Sequence, residues 1–471
     1  MRYQSLLSAS LLAVLFATSP AASLAQVALP TALAKVYEEN PTLLAARARL
    51  RAVDEGLPIA RATRRPRASI ASSVDFGRTE TDRGAQHRRT LRNAVGIEQP
   101  LYTGGEAASR IYRAEELIGA ERARLQAVEQ AVFLDAIEAF TLVLREQRIL
   151  DLALANESRL AAQLDGVQRR YRFGELTQTD VAQAEARYAR GIGDREAAAG
   201  SLEIAGSAFR RVIGDPPGTL LDATLPADLP RAVGEVLALV DEHPIVRAAR
   251  FGVDAARADI DTALSALKPR LTLRGDASYV DDPGDMADWQ SDLSLGAKLS
   301  VPLYQGGGEY ARIRQTRQAL TEERFNLHAA RRDVEEEIAA SWQALLTARA
   351  RLLALARQVE AASLALDGVQ QEARIGSRTV LDVLDAEQEL FEAEVAATAA
   401  ERDAVVAGYR IKAGMGLLTA EALDLDVVAY DPEAYYREVR GAWIGTGEAD
   451  AADWDEAPGA VLDDTDEADE N

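Results

Sequence analysis

The chain has 471 residues, 48% hydrophobic but only 6% aromatic, with no Cys and a formal net charge of −22. Without Cys there is no disulfide framework, thiolate zinc site or Cys nucleophile. The three histidines, His87, His243 and His328, have no metal-ligand spacing, and with no basic stripe to release counterions, nucleic-acid binding is disfavoured. Scarce aromatics with abundant Ala, Leu, Glu, Arg and Gln favour long helices.

Residues 1–25 read as a secretory signal peptide. Arg2 is basic, Leu6 to Ala17 is apolar but too short to span a bilayer, and Ser23-Leu24-Ala25 fits the cleavage rule, so the mature chain is expected to start at Gln26. No later stretch has about 18 uninterrupted apolar residues, so any membrane crossing falls to β-strands.

A first helix is expected over roughly 29–64, ended by Pro66. Two alternating runs follow, at 67–76 and 91–101. In the first, Ala68, Ile70, Val74 and Phe76 alternate with Arg67, Ser69, Ser73 and Asp75. In the second, Leu91, Val95, Ile97 and Leu101 alternate with Arg92, Gly96 and Glu98. Period two with one apolar face marks half-buried strands of membrane-crossing length. A polar loop is expected at 77–90. Gly104 and Gly105 read as a strand-to-helix hinge, followed by a Pro-free helix over 104–171. The turn at Gly174 then leads to a shorter helix over 177–213. Thr179 or Thr379, followed by acids, suits the start of each returning helix.

The order then repeats. A helix is expected over 233–267, strands at 270–280 and 291–303, and a polar loop at 281–290. The hinge glycines Gly306 and Gly307 open a helix over 306–373, the tip Gly376 turns the chain, and a helix over 379–415 returns. Glu39-Asn40-Pro41 matches Glu242-His243-Pro244 at a spacing of 203. Pro100-Leu101-Tyr102-Thr103-Gly104-Gly105 matches Pro302-Leu303-Tyr304-Gln305-Gly306-Gly307 at 202, and the tip glycines keep 202. The expected organisation is therefore a duplication, 26–230 and 231–419, with a C-terminal packing segment at 420–447. An acidic tail at 448–471, with eleven acids and no base, is expected to be disordered. Ile338, Leu345, Leu352, Val359 and Leu366 repeat at sevens, the spacing of a coiled coil.

Four strands cannot close a barrel and an open edge cannot sit in lipid, so three chains giving twelve strands are the simplest solution. The expected fold is mixed α+β: a homotrimeric twelve-stranded transmembrane β-barrel continued by an α-helical coiled-coil barrel. The alternative is an exported soluble coiled-coil scaffold or adhesin. No Gly-x-Ser-x-Gly, paired-His or phosphate-cradling motif supports an enzyme, and no cofactor is implied.

The duplicated strand-strand-helix-helix unit, the two Pro-Leu-Tyr-x-Gly-Gly hinges and the run Gly376-x-Arg378-Thr379-x-x-Asp382-Val383-Leu384-Asp385-Ala386 resemble the TolC family of outer-membrane ducts over about 26–420. The resemblance implies a homotrimer in outer-membrane lipid, extending into the periplasm. It also implies docking onto a periplasmic adaptor (membrane-fusion) protein and an inner-membrane pump of RND or ABC type, for efflux or type I secretion. It assigns Asp382 and Asp385 to the pore constriction, where ordinary helix-start acids are the other reading. It assigns Arg378, with Asp180 and Thr179, to a gate latch; contact with solvent or adaptor alone is the other reading. It assigns the tips at Gly174 and Gly376 to adaptor docking. One departure stands out: where the family archetype has Tyr three residues before the second-tip Gly, this chain has Ala373, while Tyr171 precedes Gly174. The lack of Cys places the chain outside the lipidated branch.

Overall fold

A computed structural model describes residues 26–82, 84–281 and 289–446. The expected leader at 1–25, most of the expected loop at 281–290 and the acidic tail at 448–471 lie outside the described residues.

The elements in chain order begin with three short helices, α1 (Leu29–Glu39), α2 (Pro41–Asp54) and α3 (Gly56–Ala62). A hairpin follows, β1 (Arg67–Thr81) and β2 (Gly84–Tyr102), then the 67-residue helix α4 (Glu106–Arg172) and α5 (Gln178–Ile213). Next come α6 (Val233–Leu237), a 3-10 turn (Val240–Glu242), α7 (Pro244–Ser265) and the strands β3 (Arg270–Asp281) and β4 (Trp289–Ser300). A second 67-residue helix, α8 (Gly308–Arg374), leads to α9 (Val380–Gly414) and the short α10 (Ala434–Val439). Among the described residues no helix is long and apolar enough to cross a membrane.

Each expected opening helix is broken in the structure. Between α1 and α2 the Asn40 backbone is extended, and its side-chain Oδ1 accepts from the Thr42 backbone N–H at 3.0 Å. Pro41 has no N–H for the preceding helix and disfavours helical geometry at Asn40. Pro244 does the same after extended His243. The expected loop at 77–90 is mostly strand: the ladder runs on through Arg78↔His87 and Glu80↔Ala85 to Thr81↔Gly84. These residues are polar on both faces, so they carry no alternation signal, yet the backbone pairing needs none. β4 ends at Ser300, where its partner β3 begins at Arg270; Pro302 supplies no ladder donor beyond it.

The chain divides into two compact units. One comprises the described residues of 26–46, 123–247 and 327–429; the other comprises 47–122, 248–326 and 430–446. The expected packing segment 420–447 is thus shared between them.

The first unit is helical. One of its apolar clusters joins Val236, Val240, Val246, Val334, Ile338, Leu345, Ala407 and Ile411. Ile338 and Leu345, two of the sevenfold series, are each 1% exposed. Burial of such a side chain stabilises by about 1.5–3 kcal/mol. A second cluster, Leu160, Val167, Ala184 and Leu384, lies close to the helix turns.

The second unit carries one antiparallel sheet in the order β1-β2-β3-β4. Register places Ile70 opposite Val95, Ala277 opposite Leu293 and Gly275 opposite Leu295 on one face. The other face carries Arg67↔Glu98↔Arg274 and Ser69↔Gly96↔Asp276. A bulge between Pro100 and Tyr102 accommodates the missing proline donor. In the same unit the C-terminal residues are strapped by cations. Arg61 donates to the Arg440 carbonyl at 2.6 Å, and the Arg65 guanidinium lies 4.6 Å over the Trp443 ring. Tyr435 Oη donates to Glu55 at 2.7 Å.

Candidate functional site

The two helix turns share one construction. At the first, Gly174 is left-handed (φ 78°); its N–H donates to the Tyr171 carbonyl, and the Glu175 N–H reaches back to the Arg170 carbonyl. At the second, Gly376 (φ 81°) donates to Ala373, and Ser377 to Glu372. These paired bonds satisfy the last carbonyls of α4 and α8, and a residue with a Cβ would be strained at either glycine. Beside each glycine stands an exposed apolar side chain, Phe173 (83%) and Ile375 (80%).

The returning helices start on identical capping boxes, at Thr177 with Asp180 and at Thr379 with Asp382. In each, the carboxylate accepts from the Thr backbone N–H and from its hydroxyl, both at 2.8 Å. These bonds, the backbone N–H foremost, hold the Asp180 and Asp382 carboxyls below the ordinary range. Of the two expected threonine caps, Thr379 holds its place. The first cap is Thr177, not Thr179, because Thr177 stands three residues before an acid that can answer it. Thr179 is exposed in the first turn of α5.

Asp382 and Asp385 both lie in the opening turns of α9, but they are engaged differently. Asp382 serves the cap, while Asp385 accepts from Arg187 of α5 at 2.5 Å. Among the described residues Arg378 pairs with Glu372 of its own hairpin at 2.8 Å, and Asp180 pairs with Thr177. Within the single chain Arg378 is therefore not brought onto Thr179 or Asp180. Deeper in the same unit Glu387, 1% exposed, accepts from Gln163 of α4 at 3.2 Å, and burial pushes its carboxyl up. Sequence reasoning misses both Arg187 and Glu387: each partner is some two hundred residues away, and no local pattern marks them.

In the sheet-bearing unit, the glycines at the start of α4 and α8 are all left-handed: Gly104 (φ 68°), Gly105 (φ 96°), Gly306 (φ 76°) and Gly307 (φ 84°). At Gly104 a Cβ would come within 2.9 Å of the Ser265 carbonyl oxygen, so the chain passes too closely for any other residue. Glu106 fixes the start of α4 by pairing with Arg270 of β3 at 2.9 Å and Arg110 at 2.6 Å.

The apolar sheet face is uncovered in the single chain. Ile70 is 82% exposed, Leu293 86% and Leu295 77%. Among the described residues the outer edges of β1 and β4 have no partner strand. Nor do those residues include a group of His, Asp and Glu arranged to hold a metal.

The model of the family described as "Outer membrane efflux protein" matches residues 32–215 and 238–417. The outer membrane efflux protein BepC of Brucella suis biovar 1 (strain 1330) is 32% identical over 417 residues, covering 88% of this chain and 91% of that protein. The outer membrane protein TolC of Vibrio cholerae serotype O1 (strain ATCC 39315 / El Tor Inaba N16961) is 26% identical over 422 residues, covering 86% and 95%. The crystal structure of the outer membrane protein VceC from Vibrio cholerae shares the fold, with a TM-score of 0.71 at 20% identity over 82% of this chain and 96% of that one. The family match leaves the soluble scaffold or adhesin without support.

Proposed function

Because the chain belongs to the outer membrane efflux protein family, and so lies in the outer membrane and reaches into the periplasm, we propose that three copies of it form an exit duct. The family is one of channels rather than enzymes. In this reading three four-stranded sheets close a twelve-stranded barrel, and the long helices of three chains continue it as an α-helical barrel. The duct receives substrates from an inner-membrane pump through a periplasmic adaptor.

The observation that carries the proposal is the sheet. It presents Ile70, Phe76, Leu293 and Leu295 on one exposed face and unpartnered outer edges on β1 and β4. Unpaired backbone groups in hydrocarbon are costly, and about eight strands are the least that close. Joining β4 of one copy to β1 of the next removes both edges and turns the apolar face to lipid. The charged face, with Arg67, Glu98, Arg274 and Asp276, then lines a wet lumen. Detergent-extracted protein should have three times the chain mass; a monomer would refute the closure.

The chain is a duplication in this proposal, 26–230 and 231–419. The two capping boxes and the two glycine turns, each pair 202 residues apart, support it. Gly104, Gly105, Gly306 and Gly307 act as hinges from strand to helix. The tips at Gly174 and Gly376 dock the adaptor, with Phe173 and Ile375 as apolar contacts. Asp382 and Asp385 form the constriction. Arg378, with Asp180 and Thr179, latches the closed state by exchanging its Glu372 partner for a neighbouring hairpin in the trimer.

A further inference from the structure

At the hairpin end of the sheet, the apolar face finishes in an aromatic row and then a cationic one. Tyr279 of β3 and Trp289 of β4 stack with ring centroids 6.3 Å apart and planes 20° apart. Trp289 lies in the lateral row Val74↔Leu91↔Asp281↔Trp289. Two residues further along β1 and β2, Phe76 pairs with Arg89; two more bring Arg78 opposite His87. Side chains alternate along a strand, so Arg78, His87 and Arg89 share the face of Ile70, Val74, Leu91 and Val95. Arg88 and Arg92 fall on the opposite face. Arg78 has Glu80 at 3.5 Å, a loose pair with side chains 60% and 74% exposed. The stretch 77–92 contains five arginines and two acids in a chain of net charge −22.

Tyr and Trp belts mark the headgroup level of a bilayer, and the hydrocarbon lies on the side of Ile70 and Val95. The next ring outward meets phosphate. Arginine presents a planar fork of donors that matches phosphate oxygens in pairs. Resting on the barrel reading above, we propose that Arg78 and Arg89, flanking His87, form a lipid-headgroup site on the outer face of the barrel. It holds the phosphate of an anionic, phosphorylated membrane lipid, whose acyl chains lie along Ile70, Val74 and Val95.

The test uses the full chain purified in detergent and native mass spectrometry with two probes, lipid A bearing its phosphates and the same lipid dephosphorylated. The phosphorylated form should be retained roughly thirtyfold more tightly, the scale expected of two arginines at a charged lipid surface. The double variant Arg78→Ser/Arg89→Ser should erase that preference, while Arg92→Ser, on the lumenal face, should keep it. Excess inorganic phosphate should not displace the lipid; displacement would make this a soluble-anion site and overturn the assignment. Equal retention of the two forms by the wild type, or equal loss in Arg92→Ser, would also overturn it. The same spectra report assembly. A monomeric wild type defeats the barrel reading, whereas a trimer without phosphate preference defeats this inference alone.

Discussion

Arg187→Ala tests whether the ion pair to Asp385, one of the two residues proposed for the constriction, restrains opening. Arg187 Nη2 sits 2.5 Å from Asp385 Oδ1 and ties α5 to α9 near the turn. The arginine side chain is 28% exposed and the aspartate 56%, so water screens the pair substantially. Such a pair is worth about 0.2–1 kcal/mol. In the proposed trimer three copies amount to roughly 0.6–3 kcal/mol, and at about 1.4 kcal/mol per tenfold this shifts the open-to-closed ratio by roughly threefold to a hundredfold. The assay is single-channel recording in a planar bilayer, with trimer content checked alongside. Arg187→Ala should raise the open fraction within that range, and Arg187→Lys, which keeps the charge but loses the fork, should fall between it and wild type. Arg378→Ser and Asp180→Asn should each open the channel too, and together add little beyond either alone if they form one latch. An unchanged open fraction in Arg187→Ala, with the trimer intact, would refute the idea that the α5–α9 pair restrains opening.

If Asp382 and Asp385 form the proposed constriction, Asp382→Asn/Asp385→Asn should abolish block of the channel by multivalent cations, because rings of carboxylates at a narrow mouth attract them; undiminished block places the constriction elsewhere. Gly376→Trp should eliminate crosslinking to the adaptor while leaving the trimer intact, since an added side chain there stands in open space at the tip, where it strains only the left-handed turn and blocks a partner's approach; normal crosslinking argues against docking at that tip. Asp54→Asn tests a buried charge in the sheet-bearing unit. Asp54 is 1% exposed, and desolvation pushes its carboxyl up to about 6 from 3.8. A raised folded value means that the stabilisation is complete below 3.8 and lost as pH rises through about 6. The Asn variant should therefore raise the calorimetric unfolding midpoint at neutral pH, by up to about 3 kcal/mol of stability, and lose that advantage near pH 4. The same gain at both pH values would assign the effect to packing instead of charge.

The mixed helix-and-strand class was legible because two periodicities are clean. Leu293, Leu295, Ala297 and Leu299 alternate, and Ile338 and Leu345 recur at seven. The chain shows less where backbone pairing needs no apolar face, as at Arg78↔His87 and Glu80↔Ala85. Helical periodicity also runs through Pro41 and Pro244, and hides the breaks those prolines impose. At the tip, Thr177 and Thr179 are equally plausible caps by composition; the acid three residues later decides for Thr177. Arg187–Asp385 and Gln163–Glu387 were illegible for a different reason. Each joins helices far apart in sequence, and each residue alone looks like any polar position on a helix.

The central claim is that the outer edges of β1 and β4 meet between copies. The chain has no Cys, so pairs can be introduced on a clean background, one in β1 over 68–76 and one in β4 over 291–299. Oxidation in isolated outer membranes followed by denaturing electrophoresis reads the result. The account predicts covalent dimers and trimers from pairs in one register and none from pairs two or more residues out of it. Protein that stays monomeric at every pair, while folded in the membrane, would contradict it.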